Sequence, residues 1–535
     1  MAIPSVSLHP PSDLLLLQLC NNIHEVRQLH AKFLVSGLIN HHPVVPRRLI
    51  QAYVATSHVE PAISIFETSI HSPDAFLYNT IIRGLINDSS PDRAILFYKK
   101  LLLEGTVIPD NFTHTFVLKA CSHLQEDEAV SVGRQVHCWV IKAGGELGSY
   151  VHSSLTHLYA TLGFMDEAEH VLGESFEENV DAVNAIISGY CRCGRVDEAR
   201  AKFEGMTDRN VASWSAMITG YTRNEMDLEA LSLFQDMSVS DPELIPNESM
   251  VVSLLTACGR LGALPQGRWI HKYIERAGMK ISTNVSTALI DMYAKCGNIQ
   301  CSYEIFQHIA SRDRDIVLWG TIISGLAKHG QAAKSLELFD EMIGHGIQPN
   351  GVIFTAVLSA CNHSGLIEKG QECFNQMAKV FRIVPSIEHY GCMVDMLARA
   401  GRLAEAEELI ASMPEKANSV IWGAFLSSCR MHNDVRRGSW AFQRLMEVEP
   451  LSGDRWKLGE LMFGNAGRKM EATKIRKLMH ETEIETTVGR SFIEVAGVVH
   501  EFVAGDIMHN KAEEIYRMCR SIHRTMRKSF MNMTS

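Results

Sequence analysis

The side chains that could do chemistry in this chain are best weighed against the reaction each would serve. A zinc-dependent nucleobase deaminase binds its metal through a His and two Cys of a Pro-Cys-x-x-Cys, while a Glu moves the protons. The chain has a single His-x-Glu, His58-Val59-Glu60, and no Cys-x-x-Cys to complete a ligand set. Cys191-Arg192-Cys193 has the wrong spacing for a chelate pair and straddles an expected helix end. The thirteen cysteines are scattered, several in apolar settings such as Leu118-Lys119-Ala120-Cys121, which reads as buried free thiols in a reducing compartment. A Gly-x-x-x-x-Gly-Lys phosphate loop is also missing. The sequence therefore points to a protein that is not an enzyme and carries no cofactor or metal.

The elements behind these residues repeat. Leu118-Lys119-Ala120-Cys121, Leu255-Thr256-Ala257-Cys258, Leu358-Ser359-Ala360-Cys361 and Leu426-Ser427-Ser428-Cys429 are related, their cysteines 137, 103 and 68 residues apart. A second series is Ile187-Ser188-Gly189-Tyr190, Ile218-Thr219-Gly220-Tyr221, Ile290-Asp291-Met292-Tyr293 and Ile323-Ser324-Gly325-Leu326. A glycine or its equivalent then falls at Gly163, Gly194, Glu225, Gly262, Gly297, Gly330, Gly365 and Gly401, at spacings of 31, 31, 37, 35, 33, 35 and 36. The unit comes in short and long versions.

Each unit reads as a helical hairpin. In Val180–Asn210, Val183, Ile186, Ile187 and Tyr190 form one helical face, and Gly194 can take the positive φ that ends the first helix. Ala199, Phe203 and Met206 space out a second helix, and Asp208-Arg209-Asn210 turns into the next unit. A small residue recurs where the helices cross, at Ala94, Ala168, Ala199, Ala230 and Ala406. A lone hairpin cannot bury its apolar face, so neighbours must stack into an all-α superhelical solenoid. A tetratricopeptide scaffold for protein partners shares a period of about 34 residues, but its Trp, Leu-Gly and Tyr signature is met in no unit.

Segments such as Thr287-Ala288-Leu289-Ile290-Asp291-Met292-Tyr293-Ala294-Lys295-Cys296-Gly297 and Ser213-Trp214-Ser215-Ala216-Met217-Ile218-Thr219-Gly220-Tyr221 resemble the plant pentatricopeptide repeat family, in its long–short subclass. The resemblance implies a right-handed superhelix. It divides the chain into a targeting segment (1–12), a repeat array of about eleven units (13–418), two extension motifs (419–486) and a further extension (487–535). Gly489-Arg490-Ser491-Phe492-Ile493-Glu494-Val495 and Val499-His500-Glu501-Phe502-Val503-Ala504-Gly505-Asp506 are similar to the extension that usually leads into a deaminase-like domain, before which this sequence stops.

In such a family each unit presents its fifth and last residues to one unstacked RNA base, the last residue separating pyrimidines or purines by its donor–acceptor pattern. Carried over, Asn79 with Asp110 resembles a uracil reader, and Ser153 with Asn179 and Ser215 with Asn247 resemble adenine readers. Asn184 with Asn210 resembles a pyrimidine reader, and Thr287 with Asp315 a guanine reader. Thr115/Gly148, Val252/Ser282 and Thr355/Ser386 in the long units, and Arg47/Asp74, Gly320/Asn350 and Gly391/Asn418, depart from the pattern. The implied footprint is n-U-n-A-Y-A-n-G-n-n-n, with second residues such as Phe76 and Val317 flanking the bases. For the last residue in each pair there is a plainer role as well, that of capping the next helix.

The net charge of −10 runs against phosphate-driven binding and fits reading by base edges. A stripe of Arg517, Arg520, Arg524, Arg527 and Lys528 is either a binding surface or a solvated helix face. No apolar run is long enough for a membrane span. The function implied is recognition of single-stranded organellar RNA at sites of C-to-U editing, with a deaminase or editing accessory proteins recruited in trans. RNA stabilisation, splicing or translation is the alternative. Family habit favours the mitochondrion over the chloroplast, although residues 1–12 hold no Arg.

Overall fold

The computed structural model describes residues 12–20, 22–70, 72–124, 126–142, 149–173, 179–241, 243–481, 490–495, 498–503 and 511–533. These fold into two compact units with the boundary between Ala257 and Cys258. Each unit is a series of helical hairpins in which the first helix packs on its own second helix and on the first helix of the next hairpin.

The hairpin beginning at Val180 shows why. Asn179 caps the first helix, Val180–Arg192, by accepting from the Asp181 and Ala182 N–H groups. Ala182, Ile186, Ile187 and Tyr190 are buried along one side. Gly194 takes φ +75°, and the second helix, Val196–Glu204, turns back with Ala199 and Phe203 buried. Arg209 then satisfies two carbonyls at the end of that helix, Phe203 O at 3.1 Å and Glu204 O at 3.0 Å.

All eight positions read as turn glycines or their equivalent have positive φ, from +61° at Glu225 to +85° at Gly297. Glu225 is strained there, because an L side chain pays for the left-handed region.

Where a hairpin's second helix meets the following first helix, side-chain size is exchanged. Ala94, Ala168, Ala199, Ala230 and Ala406 have no exposed surface. Ser302 and Ser335 stand at the same place and donate to the Ile290 and Ile323 carbonyls of their own first helices. The following first helices carry glycines that let them close on the preceding first helix: a Cβ on Gly189 would lie 2.9 Å from Ala160 Cβ, one on Gly220 2.8 Å from Cys191 Cβ and one on Gly325 3.1 Å from Ala294 Cβ. Elsewhere the second helix carries the glycine and the next helix the bulk. A Cβ on Gly267 would lie 2.4 Å from Met292 Sδ, and one on Gly370 2.4 Å from Met396 Cε. Gly133 with Leu158 and Gly438 with Met462 repeat the arrangement.

The hairpins continue through Ser419–Met431 with Val435–Val448 and Gly453–Asn465 with Lys469–Glu481, the stretch that resembles extension motifs. The helical rule has one exception among the described residues. Arg490–Val495 and Val498–Val503 pair antiparallel, from Arg490 opposite Val503 to Val495 opposite Val498. Their Phe, Ile and Val residues suit a strand rather than a helix. The helix Ala512–Met533 follows, with Arg517, Arg520 and Arg524 exposed; the side chains of Arg527 and Lys528 lie outside the described residues. No described helix is long and apolar enough to cross a membrane.

Candidate nucleic-acid interface

In the five pairs inferred from sequence, the last residue is tied down by helix capping. Asp110 Oδ1 accepts from Thr113 N–H at 2.8 Å, Asn210 Oδ1 from Ser213 N–H at 3.0 Å, and Asn247 Oδ1 from Met250 N–H at 2.9 Å. Asp315 caps Leu318 at 2.8 Å, and Asn179 caps Asp181 at 3.0 Å. The plain capping role is therefore real, and it also orients the group. With Oδ1 turned to the backbone, an Asp has Oδ2 left over as an acceptor and an Asn has Nδ2 left over as a donor.

The fifth residue meets that cap from the first helix of the same unit. Asn79 Nδ2 donates to Asp110 Oδ1 at 2.9 Å, Ser215 Oγ to Asn247 Oδ1 at 3.0 Å, and Asn184 Nδ2 to Asn210 Oδ1 at 3.4 Å. In the remaining bonded pair, Asn179 Nδ2 donates to Ser153 Oγ. Four of the five pairs inferred from sequence are thus joined directly. Thr287 and Asp315 are not: the Thr287 hydroxyl donates to the Thr283 carbonyl at 2.8 Å.

Asn79 and Asn184 are buried, yet the Oδ1 of each has no hydrogen-bond partner among the described residues. A buried amide oxygen without a donor costs about 1–3 kcal/mol, so both sites are short of one hydrogen bond. Burial pushes the Asp110 carboxyl up, but hydrogen bonds from Thr113 and Asn79 outweigh it and hold the pKa below the usual carboxylate value. Asp110 therefore stays an acceptor at neutral pH.

Second residues line the same edge. Phe76, Phe112, Tyr150, Val317 and Val352 are exposed apolar side chains at that place. An open groove of about 470 Å³ joins Asn184, Ser215 and Asn247, with Arg192 and Arg223 on its wall. A second pocket of about 370 Å³ lies over Gly320, between Val317 and Val352, and includes Lys295 and Lys328. Cations therefore stand along the groove although the chain as a whole is acidic.

Three features of the edge escaped the sequence. Arg47 and Asp74, off the pattern, form an ion pair at 2.8 Å. In the Thr355/Ser386 unit His389 stands between the two positions. Thr287 turns away from Asp315. The first two depend on which neighbour a side chain meets once the hairpins stack, and the third on a bond within its own helix; a His at the third place of the next helix was the one visible sign. Gly148 lies outside the described residues. His58 stands at the start of the helix Val59–Ser69 without capping it by its side chain; its Nδ1 lies 2.6 Å from the Thr56 carbonyl oxygen, while Glu60 pairs with Arg93. No group of three or more His, Cys, Asp or Glu among the described residues could hold a metal ion.

Comparison with known proteins gives this architecture its family. The PPR repeat family model matches residues 314–363, and PPR repeat models match 76–106, 179–207, 212–241, 285–313, 352–379 and 388–417. A pentatricopeptide repeat-containing protein of Arabidopsis thaliana is 36% identical over 503 residues, covering 93% of this chain and 93% of that protein. The chain belongs to the pentatricopeptide repeat family. Two further Arabidopsis pentatricopeptide repeat proteins, one named mitochondrial and one chloroplastic, are 32% and 31% identical and each cover 98% of this chain, which spans 91% and 84% of them. Among solved structures, the crystal structure of the pentatricopeptide repeat protein PPR10 from maize aligns with a TM-score of 0.48 at 17% identity, over 83% of this chain and 69% of that one. Membership sets the chain apart from tetratricopeptide repeat proteins.

Proposed function

We propose that this pentatricopeptide repeat protein binds single-stranded RNA selectively in an organelle, the mitochondrion in our reading, and acts as a site-recognition factor for C-to-U editing. The observation that carries RNA reading is the pairing of buried, donor-short Asn79 and Asn184 with capping residues whose remaining atoms are left for a ligand. The chemistry of those atoms sharpens the base assignments. A free Asp oxygen accepts from a ring N–H, found in uracil and guanine; a free Asn amide donates to a bare ring nitrogen, found in cytosine and adenine. The last residue then distinguishes ring N–H from ring N rather than pyrimidine from purine. Asn79/Asp110 keeps uracil, Thr287/Asp315 guanine, and Ser153/Asn179 and Ser215/Asn247 adenine, while Asn184/Asn210 leans to cytosine.

The editing role, and the membership of the long–short subclass with its extensions, rest on the likeness of residues 419–535 to that subclass's extension region, through which a deaminase or accessory protein would be recruited in trans. Two measurements test the reading together. The purified chain should bind n-U-n-A-Y-A-n-G-n-n-n and lose affinity when the named bases are exchanged. A null line should lose editing at a cytidine downstream of that sequence. Normal editing with altered transcript ends or retained introns would replace editing by RNA processing; no preference for the footprint would overturn base reading itself.

A further inference from the structure

The site in front of each fifth residue has a floor supplied by the next hairpin. A Cβ on Gly320 would meet Ile353 Cγ1 at 3.4 Å, and one on Gly391 would meet Ile421 Cγ1 at 3.6 Å. Ile353 and Ile421 are each the third residue of the following first helix, counted from the fifth-residue register. The equivalent residues after the Ser153, Ser215 and Thr287 units are Ala182, Met250 and Leu318, all buried. Small or apolar floors leave the site open, and over Gly320 the opening is the pocket of about 370 Å³.

At two places the third residue is long and polar, and it fills the site. His389 Nε2–H reaches the Gly351 carbonyl at 2.8 Å and the Thr355 hydroxyl at 3.2 Å. Its Nδ1 accepts from Ser386 N–H at 3.0 Å, which fixes that tautomer, and lies 2.7 Å from the Ser386 hydroxyl. One ring thus satisfies both the fifth and the last residue of the long unit. The second case is Arg455, the third residue of the hairpin after Ser419–Met431. A Cβ on Gly423, the fifth residue there, would lie 2.7 Å from Arg455 Nη1 and 3.4 Å from Cζ. Gly320 and Gly423 are the same residue type in the same register, yet one faces a pocket and the other a guanidinium.

We infer that the third residue of the following hairpin is the gate of each base site: His389 closes the Thr355/Ser386 unit, and Arg455 closes the Gly423 unit and ends the readable array at Gly391/Asn418. The inference rests on the RNA-reading function proposed above. Exposed Val420 offers a flank for a base at the Gly423 unit, where Arg455 takes the room. Arg455 is held in place by Glu449, with Nε to Oε2 at 3.2 Å, and a base entering would have to break that pair. Ser452, in the last-residue place, makes no side-chain cap and carries no amide to read with.

The test uses the full chain and an RNA bearing the footprint followed by a 3′ oligouridine tail. Nuclease protection should show Arg455→Ala moving the 3′ boundary outward by one nucleotide. Affinity for the tailed RNA should rise about fivefold or more, the lower end of what one stacked base contributes. Arg455→Met, which keeps the bulk without the charge, should leave the boundary in place. His389→Ile, the residue type at that place in the neighbouring hairpins, should make binding respond to the nucleotide facing Thr355, where the natural chain is indifferent. Weaker binding by Arg455→Ala would make Arg455 an RNA ligand and overturn the gate. So would an unchanged boundary together with continued indifference in His389→Ile. Failure of the natural chain to protect any footprint would instead overturn the function proposed above, and this inference with it.

Discussion

The unit that begins at Ala75 and the unit that begins at Thr283 end in the same residue, and the aspartate does the same local work in both. Asp110 caps Thr113 and Asp315 caps Leu318, each at 2.8 Å. The fifth residues behave differently. Asn79 cannot easily satisfy its amide on its own helix and reaches across to Asp110. Thr287 has a short hydroxyl that returns to the carbonyl four residues back, as helical Thr readily does. The first unit therefore holds its two polar groups ready and is short of a donor at Asn79 Oδ1, whereas the second must turn a side chain before it can engage a base. Capping makes the last residue uniform, and the fifth residue decides how much of the site is prearranged.

The largest effect should come from Asp110→Asn. Asn caps as well as Asp, so stability should move by less than about 0.5 kcal/mol. The outward atom changes from acceptor to donor, and preference at that nucleotide should swing from uracil towards cytosine by tenfold or more, as ~1–3 kcal/mol per base-edge contact allows. Titrations with oligonucleotides differing at that one base measure it, and an unchanged preference would show that Asp110 only caps. A smaller effect is expected from Thr287→Asn, which gives the second unit the amide of the first. Preference there should move from guanine towards uracil by about fivefold, the scale of one net hydrogen bond near 1 kcal/mol. If the preference stays with guanine, the contrast between the two fifth residues is not what sets it. The smallest expected change involves neither edge. Glu225→Gly relieves a side chain held at φ +61° and should raise stability by about 1 kcal/mol, read from denaturant unfolding, with RNA affinity unchanged. A fall in affinity would mean that the hairpin turn communicates with the base sites.

Much of the scaffold was legible in the sequence because it depends on local chemistry repeated many times. The left-handed turn at Glu225 could be placed without a glycine, since its neighbours in the series fixed the register. The pairs Asn79/Asp110 and Ser215/Asn247 came from the family resemblance laid over that register, and both are joined in the structure. Contacts that cross from one hairpin to the next were not legible. His389 lies 34 residues beyond Thr355, and no period announces that its ring will reach back. Arg455 over Gly423 is of the same kind. The antiparallel pair at Arg490–Val495 and Val498–Val503 falls outside the period altogether, so the repeat offered no guide to it.

The exchange of size between Gly267 and Met292, and between Gly370 and Met396, limits how such a protein can be rebuilt. A hairpin taken from one place carries half of a lock whose other half belongs to its neighbour. Joining the Gly370 helix to a first helix with glycine at the crossing would leave a void, and joining an alanine-bearing helix to one with methionine would force a collision. Cutting and splicing therefore works only in blocks whose ends match, and a designer altering the length of the array must move whole sets of hairpins rather than single ones.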